Sequence, residues 1–226
     1  MKKIIITIAL IALNTIFALS QIANNETVGT TKTVTNPNSN LPASDIKMQI
    51  GYGSENAELM SVLYFEDIGL NKMIFSGNDL KGKDFQISVK EFVKGKLAKN
   101  EVVFDSKEDE YFKIKNDKFT FRILTKTTLV NTVMFQFQFN GFSKRKEYKI
   151  AANQKEFASK TFLGSSQDEK IIPVNTETYV LTYMMPYQKK DGSKQYCEVA
   201  QSGINPEQFG TNYAIPTYFL ISIKFV

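Results

Sequence analysis

The stretch "TVMFQFQFNGF", residues 132–142, contains the alternation that decides the fold class. Its apolar residues recur at every second position, at Val133, Phe135, Phe137 and Phe139, with Met134 and two glutamines between them. Successive side chains of a β-strand point to opposite faces of the sheet. This period therefore predicts a strand with one apolar face.

The last ten residues, "TYFLISIKFV" at 217–226, show the same period at Phe219, Ile221, Ile223 and Phe225. Evidence for helices is thin. "AELMSVLYFEDI" at 57–68 fits either a helix or a strand, and Asn205-Pro206 suits one short helical turn. The sequence predicts an all-β fold, an antiparallel β-sandwich that is Ig-like or related, with little helix and a meander or Greek-key connection.

The segment "EYFKIKNDKFTFRIL", residues 110–124, predicts a β-hairpin. Asn116-Asp117 suits a two-residue turn in which both residues have positive φ. Such a turn would place Ile114 opposite Phe119 and Phe112 opposite Phe121, so that each apolar side chain faces another. The agreement between turn register and apolar pattern supports this prediction.

A second hairpin is predicted within "TYVLTYMMPYQKKDGSKQYCEVA", residues 178–200, with its turn at Asp191-Gly192. A two-residue loop at that turn would oppose Lys189 and Lys194, which is an unfavourable pair of like charges. The pattern therefore predicts two strands joined at this turn but leaves their register open.

The N-terminus, "MKKIIITIALIALNTIFALSQ", has the features of a secretory signal peptide. Two lysines precede an uncharged, mostly apolar run, and the small residues Ala18 and Ser20 stand at the spacing that a signal peptidase prefers. We expect cleavage after Ser20 rather than a membrane anchor, because the run is shorter than the ~20 residues that a spanning helix needs. Export would place the protein in the periplasm, on the cell surface or outside the cell.

Residues 21–45 are rich in Asn and Thr and lack an apolar period, which predicts a flexible linker. The expected organisation is a signal peptide at 1–20, a linker at 21–45 and a β-sandwich domain at 46–226. The sequence leaves open whether the last of these is one domain or two subdomains.

The chain has 28 basic and 23 acidic residues and a net charge of +5. The basic clusters at 94–99 and 143–149 are interleaved with acids and are predicted to be solvated loops, so we expect no nucleic-acid partner. The single cysteine, Cys197, cannot form an internal disulfide and is predicted to be a small buried residue.

The segment "FSGNDLKGKD", residues 75–84, has the G-x-x-x-x-G-K spacing of a phosphate-binding loop. Such a loop needs Ser or Thr after the lysine, where this chain has Asp84, and it needs a helix next. The following residues alternate like a strand instead. The segment is therefore interpreted as a turn between two strands, and we expect no nucleotide binding.

The absence of histidine excludes Ser-His-Asp and Cys-His mechanisms and zinc sites built on imidazole. A carboxylate pair and a serine activated by lysine remain as catalytic options. The acidic segment "DSKEDEY", residues 105–111, does not match the spacing of a calcium-binding loop and is interpreted as a solvated connection. We expect no catalytic residue, no metal site and no cofactor.

Tyrosines are the remaining candidates for a site. Tyr179, Tyr183 and Tyr187 would share one strand face, with Tyr196 close by on the partner strand. Aromatic side chains on a sheet anchor protein partners or stack on sugars, and they also pack into cores. The candidate partner-binding residues are Tyr183, Tyr187 and Tyr196.

The stretches "DGSKQYCEVAQSG", "NPEQFG", "YFLISIKF" and "DLKGKDF", with the signal ending "FALSQ", resemble a family of uncharacterised exported β-rich proteins from Bacteroidetes. The resemblance covers roughly residues 46–226. It implies an exported, β-rich protein and assigns no mechanism.

The function expected first is that of an exported, non-catalytic binding protein of the bacterial cell envelope, whose partner is an envelope protein or a glycan. A carbohydrate-active enzyme or glycan-binding module that uses carboxylates and tyrosines is the alternative. A small outer-membrane β-barrel comes last, because the charged stretch at 94–119 lacks the apolar outer face of barrel strands.

Overall fold

The computed structural model describes residues 44–226. The predicted signal peptide at 1–20 and most of the predicted linker at 21–45 therefore lie outside the described residues. The first strand begins at Lys47, directly after the buried Ile46.

Strands account for most of the regular structure. The first seven are β1 (Lys47–Tyr52), β2 (Gly69–Ser76), β3 (Phe85–Val93), β4 (Lys96–Asp105), β5 (Lys118–Thr127), β6 (Thr132–Gln138) and β7 (Ser143–Lys149). Six more follow, β8 (Ala158–Thr161), β9 (Lys170–Ile171), β10 (Thr178–Met184), β11 (Tyr187–Gln188), β12 (Lys194–Gln195) and β13 (Thr217–Phe225). The α-helices are α1 (Ala57–Phe65), α2 (Cys197–Ala200) and α3 (Phe209–Asn212).

Two antiparallel sheets form a sandwich, which confirms the predicted fold class. One sheet has six strands in the order β7-β6-β5-β2-β1-β9, and the other has five in the order β4-β3-β13-β10-β8. Strands β11 and β12 form a separate two-stranded ribbon. Helix is confined to short segments, of which α1 with nine residues is the longest α-helix described.

The apolar residues that alternate along 132–142 form part of the core between the sheets. Val133, Phe135 and Phe137 are fully buried, and Phe139 just beyond β6 is 8% exposed. Phe135 reaches the opposite sheet, with its ring centroid 5.4 Å from that of Phe219. The apolar face predicted from residues 132–142 is therefore confirmed.

Strand β13 is buried on both faces because each face meets a different layer. Phe219 and Phe225 point into the core between the sheets. Tyr218 and Leu220 point the other way and pack in a second cluster with Phe209. The segment 185–216, which contains α2 and α3, supplies this outer layer, so we name it the cover segment.

The stretch 75–84 crosses from one sheet to the other. It ends β2 of the six-stranded sheet, makes a 3-10 turn at Asn78–Leu80 and leads into β3 of the five-stranded sheet. Gly77 has φ 149°, and a Cβ there would lie 2.6 Å from the backbone oxygen of Asp45. The first glycine of the motif is thus needed for a close backbone approach, and a strand stands where a phosphate loop needs a helix. The prediction of a turn between strands is confirmed.

The hairpin predicted at Asn116-Asp117 is wrong. Strand β5 starts at Lys118 and pairs with β2, so that Phe119 lies opposite Phe75 and Phe121 opposite Met73. Ile114 instead exchanges backbone hydrogen bonds with residues 82–83. The physical reason lies upstream, where the Asp109 carboxylate accepts the backbone N–H of Tyr111 at 2.8 Å and stabilises a 3-10 turn at Glu110–Phe112.

The apolar side chains of that stretch nevertheless share a core, as their pattern predicts. Phe121 and Ile114 are 1% and 5% exposed, and Phe112 and Phe119 pack against the same cluster. The alternation therefore predicts burial correctly, whereas the turn signal predicts the wrong partner.

The hairpin at Asp191-Gly192 is present in a short form. Tyr187 pairs with Gln195 and Gln188 with Lys194, which leaves residues 189–193 between the strands, and a hydrogen bond between Lys189 and Ser193 reduces the loop to the three residues 190–192. The N–H of Lys189 donates to the carbonyl of Ser193 at 2.8 Å, and Gly192 takes φ 85°. This register removes the opposed lysines and uses glycine at the left-handed position that three-residue loops require.

The basic cluster at 143–149 forms the edge strand β7 and not a loop, and β4 likewise takes up Lys96 to Lys99 of the other cluster. Edge strands rich in lysine resist pairing with other chains. Glu101 of β4 joins the two edges by accepting hydrogen bonds from Lys146 and Lys99. These bonds lower the pKa of Glu101 to about 2.

Candidate functional site

The predicted tyrosine face does not form, because β10 contains a β-bulge between Tyr179 and Leu181. A bulge adds one residue to the strand and reverses the faces beyond it. Tyr179 consequently packs against the outer cluster, whereas Tyr183 lies in the core between the sheets. The two residues therefore lie on opposite faces of one strand.

Tyr183 is 4% exposed, so the partner-binding interpretation of this residue is wrong and the core interpretation, which the pattern also allows, is correct. Its ring lies 5.7 Å from that of Phe135 and 5.3 Å from that of Phe157, and its hydroxyl shares a hydrogen bond of 3.0 Å with Thr127. Burial raises the pKa of Tyr183 to about 12. This residue is part of the core.

Tyr187 and Tyr196 are half-buried and pack against the outer cluster. The ring of Tyr187 contacts that of Tyr213 at 5.3 Å in an edge-on arrangement. The hydroxyl of Tyr196 donates to the backbone oxygen of Glu156 at 3.2 Å. Both rings are engaged with the chain's own residues, and whether they also contact a partner stays a prediction.

Cys197 is exposed at the start of α2, so the prediction that it is buried is wrong. The acidic segment 105–111 forms two 3-10 turns, in which the carboxylates of Asp105 and Asp109 accept backbone N–H groups. Among residues 44–226, no group of three or more Cys, Asp or Glu side chains is arranged to hold a metal ion.

Two carboxylates converge on the outer face of the five-stranded sheet. Lys90 Nζ lies 2.9 Å from Glu177 Oε2, 2.9 Å from Glu207 Oε1 and 2.7 Å from the hydroxyl of Tyr179. The lysine thus occupies the space between the carboxylates, where a pair acting on a sugar would need its substrate. All three ammonium protons have an acceptor, as expected for a structural network.

The electrostatics of this network agree with that interpretation. Burial acts to lower the pKa of Lys90, but hydrogen bonds to Tyr179, Glu207 and Glu177 outweigh it, so the net shift is upward. Hydrogen bonds from Tyr179 and Lys90 hold the pKa of Glu207 below its usual value. Lys90 and Glu207 are thus stabilised in their charged forms, and Glu207 ties the cover segment to the sheet.

Helix α1 is defined at both ends by local hydrogen bonds. At its start the side chain of Asn56 accepts the N–H of Leu59 at 2.9 Å, which is the usual N-cap bond. At its end Asp67 takes φ 51°, and the N–H of Ile68 donates to the carbonyl of Leu63 at 2.8 Å, as in a Schellman motif. The stretch 57–68, which fits two structures by sequence, is therefore a helix over Ala57–Phe65.

The helix exposes most of its apolar side chains. Leu63 is its one buried residue. The exposed fractions are 45% for Leu59, 56% for Val62, 74% for Tyr64 and 86% for Phe65. An apolar helix of a globular protein normally buries its apolar face, so the outward side of α1 lacks the layer that such a composition usually requires.

The tip of the β5-β6 hairpin adds two more exposed apolar residues at the same end of the six-stranded sheet. Leu129 is 94% exposed and Val130 76%. Gly69, which follows α1, pairs with Thr125 just before this tip, and Lys126 Nζ contacts Glu66 Oε2 at 2.6 Å. We define the α1-end surface as Leu59, Val62, Tyr64, Phe65, Leu129 and Val130.

Sequence reasoning missed this surface. The run at 57–68 is apolar on every side of a helix, which ordinarily indicates a core element, and Leu129-Val130 is a short apolar pair within a loop. A usable signal was present in the surrounding acids. Glu55, Glu58, Glu66 and Asp67 bracket the run closely, and charged residues are seldom found around a fully buried helix.

The fold and this surface define a two-sheet antiparallel β-sandwich protein with an exposed apolar end. Large contiguous apolar patches on such proteins mark sites of interaction. The chain matches no protein-family model, no curated protein and no solved structure. Across residues 44–226, none of the helices has the length and apolar character needed to cross a membrane.

Proposed function

We propose that this protein is an exported, non-catalytic binding protein of the bacterial cell envelope and that it binds a protein partner through the α1-end surface. The exposure of six large apolar side chains at one end of the sandwich is the observation that carries the proposal. Single exposed apolar residues are common and need no explanation. Six of them on α1 and the neighbouring β5-β6 tip are more than scattered exposure accounts for, and they offer apolar area of the kind that interfaces bury.

The chemistry of this surface favours a protein over a glycan. Sugars present hydroxyl groups, and a glycan site pairs them with several fixed polar groups beside its aromatic rings. Among the six side chains of the α1-end surface, Tyr64 alone carries a polar group. Apolar and aromatic side chains without polar partners are typical of the centre of a protein–protein interface.

Export is tested by the N-terminus of the mature protein. Because Ala18 and Ser20 form the expected cleavage site, N-terminal sequencing of the exported protein should start at Gln21 or its cyclised form. Substituting Ala18→Arg should block processing and leave the precursor in the membrane fraction. Recovery of the unsubstituted chain mainly as a full-length membrane species would contradict the proposal.

The role of the surface is tested with the double variant Phe65→Ala/Leu129→Ala of the mature chain. Interface anchors each carry about 2 kcal/mol or more, so binding to a captured and purified envelope partner should weaken at least ~30-fold per anchor. The melting temperature should stay nearly unchanged, because both side chains are exposed and support no core contact.

The matched control is Leu97→Ala/Val102→Ala, which removes two apolar side chains, each 53% exposed, from the edge strand β4. This variant should bind the partner like the unsubstituted protein. If the α1-end variant binds equally well, the surface is not the docking site.

A further inference from the structure

The charge around the α1-end surface is opposite in sign to that of the whole protein. Residues 55–67 contain four carboxylates, Glu55, Glu58, Glu66 and Asp67, and no lysine or arginine, while the chain as a whole carries +5. All four residues are exposed. A local acidic rim on a basic protein gives this end its own electrostatic character.

Most of this rim is not neutralised within the fold. Glu66 pairs with Lys126 at 2.6 Å. Within residues 44–226, no ion pair involves Glu55, Glu58 or Asp67. Three carboxylates therefore remain to interact with whatever covers the apolar centre.

The acidic rim helps to decide which kind of molecule can cover the α1-end surface. A second copy of this chain would bring the same acids against themselves, and an anionic bilayer would repel them. The chain's own predicted linker at 21–45 has one basic residue, Lys32, and no apolar period, so it lacks the charge to pair with the rim.

We infer that the partner presents a basic amphipathic segment, with apolar side chains against α1 and the β5-β6 tip and Lys or Arg against Glu55, Glu58 and Asp67. This inference rests on the proposed function and adds the chemistry of the partner. Apolar side chains spaced along one face of a peptide helix fit such a surface, as in other helix-in-groove complexes. The rim charges then set the association rate and the selectivity for basic partners.

The test uses two synthetic helical peptides of 18 residues, one of Leu and Lys in an amphipathic pattern and one with Glu in place of every Lys. Fluorescence anisotropy with the mature protein should show binding of the Leu/Lys peptide and at least ~10-fold weaker binding of the Leu/Glu peptide. Added salt should weaken the Leu/Lys complex, because exposed charges are screened. Equal binding of both peptides would overturn the inference.

Variants that remove carboxylates show which part of the protein attracts the Leu/Lys peptide. The triple variant Glu55→Gln/Glu58→Gln/Asp67→Asn should weaken Leu/Lys binding about 10-fold. A control with the same change in net charge, Glu108→Gln/Asp117→Asn/Glu147→Gln, removes exposed acids elsewhere and should bind like the unsubstituted protein. Equal effects of the two triple variants would overturn the inference, because the attraction would then be a property of the whole surface.

The other molecules that could cover the surface, an anionic membrane or a second copy of this chain, would give different experimental results. Flotation with anionic vesicles, or a dimer in light scattering that Phe65→Ala abolishes, would assign the surface to lipid or to a second copy. Either result would overturn the inference.

The double and triple variants also separate the inference from the proposed function. If Phe65→Ala/Leu129→Ala prevents binding of the captured envelope partner while the acidic triple variant leaves it intact, the proposed function stands and the inference of a basic partner is wrong. If neither variant changes that binding, both the proposed function and the inference are wrong.

Discussion

Replacing Phe121 with alanine should lower the free energy of unfolding by about 3–5 kcal/mol, the usual cost of removing a buried phenylalanine ring. Phe121 is 1% exposed in the middle of β5. Its ring stacks on Phe75 at 6.1 Å and lies 5.4 Å from Phe139. These rigid neighbours, one on β2 and one just beyond β6, leave little room for the core to collapse into the space, so the cavity cost adds to the lost burial.

Urea denaturation measures the effect as a fall in the transition midpoint at an unchanged slope. Thr120→Ala is the matched control, since Thr120 is the preceding residue on the same strand and faces solvent. It should change the free energy of unfolding by less than about 0.5 kcal/mol. Similar costs for the two variants would mean that the two faces of β5 are assigned incorrectly.

Replacing Lys90 with alanine should lower the free energy of unfolding by about 2–3 kcal/mol. Breaking a buried ion pair from one side typically costs about 3–5 kcal/mol, because the remaining charge is left buried and unpaired. The side chain of Lys90 is 11% exposed, but those of Glu177 and Glu207 are 38% and 41% exposed and regain some water. The expected cost is therefore below the full range.

The loss should appear first in the cover segment, which Glu207 ties to the sheet. Hydrogen exchange should accelerate around 206–212 before the strands of the core open. Adding Glu177→Gln and Glu207→Gln to Lys90→Met should recover part of the stability, because no unpaired charge then remains.

Lys113→Ala is the control for Lys90, since Lys113 also pairs with a carboxylate, that of Glu110, at 2.9 Å. The side chain of Glu110 is 84% exposed, so removing this pair should leave the free energy of unfolding almost unchanged. If Lys90→Ala costs no more than Lys113→Ala, the Lys90 network does not stabilise the fold.

The predictions from alternation hold because they depend on the backbone alone. In any β-strand the side chains at 133, 135 and 137 must share a face, whichever strand lies beside them. The same argument holds for Phe219 to Phe225 in β13, where the structure confirms the predicted inner face. Local chemistry also suffices for the short turn at Asn205-Pro206, where the Asn205 side chain accepts the N–H of Glu207 at 3.1 Å.

Two of the wrong predictions, the hairpin at Asn116-Asp117 and the tyrosine face, depend on which strand pairs with which. Asn116-Asp117 offers a good turn, but β5 pairs with the whole length of β2, and one turn cannot outweigh eight paired positions. The tyrosine face required an uninterrupted strand at 178–184, and the bulge in β10 arises where that strand pairs with β13. Neither the pairing of β5 with β2 nor the bulge in β10 can be predicted from the residues beside it in the sequence.

The sequence by itself determined several strands, which side of those strands is apolar and where several turns lie, because φ/ψ preferences and side-chain period act over a few residues. Only the tertiary structure decided strand partners, the bulge, the meeting of Lys90 with Glu177 and Glu207, and which apolar run stays outside the core. Helix α1 shows the reason most clearly. Its caps are local and specify a helix, and the acids beside it indicate that it is not fully buried. Whether Phe65 itself is buried, however, depends on whether another layer covers it, which only the tertiary structure decides.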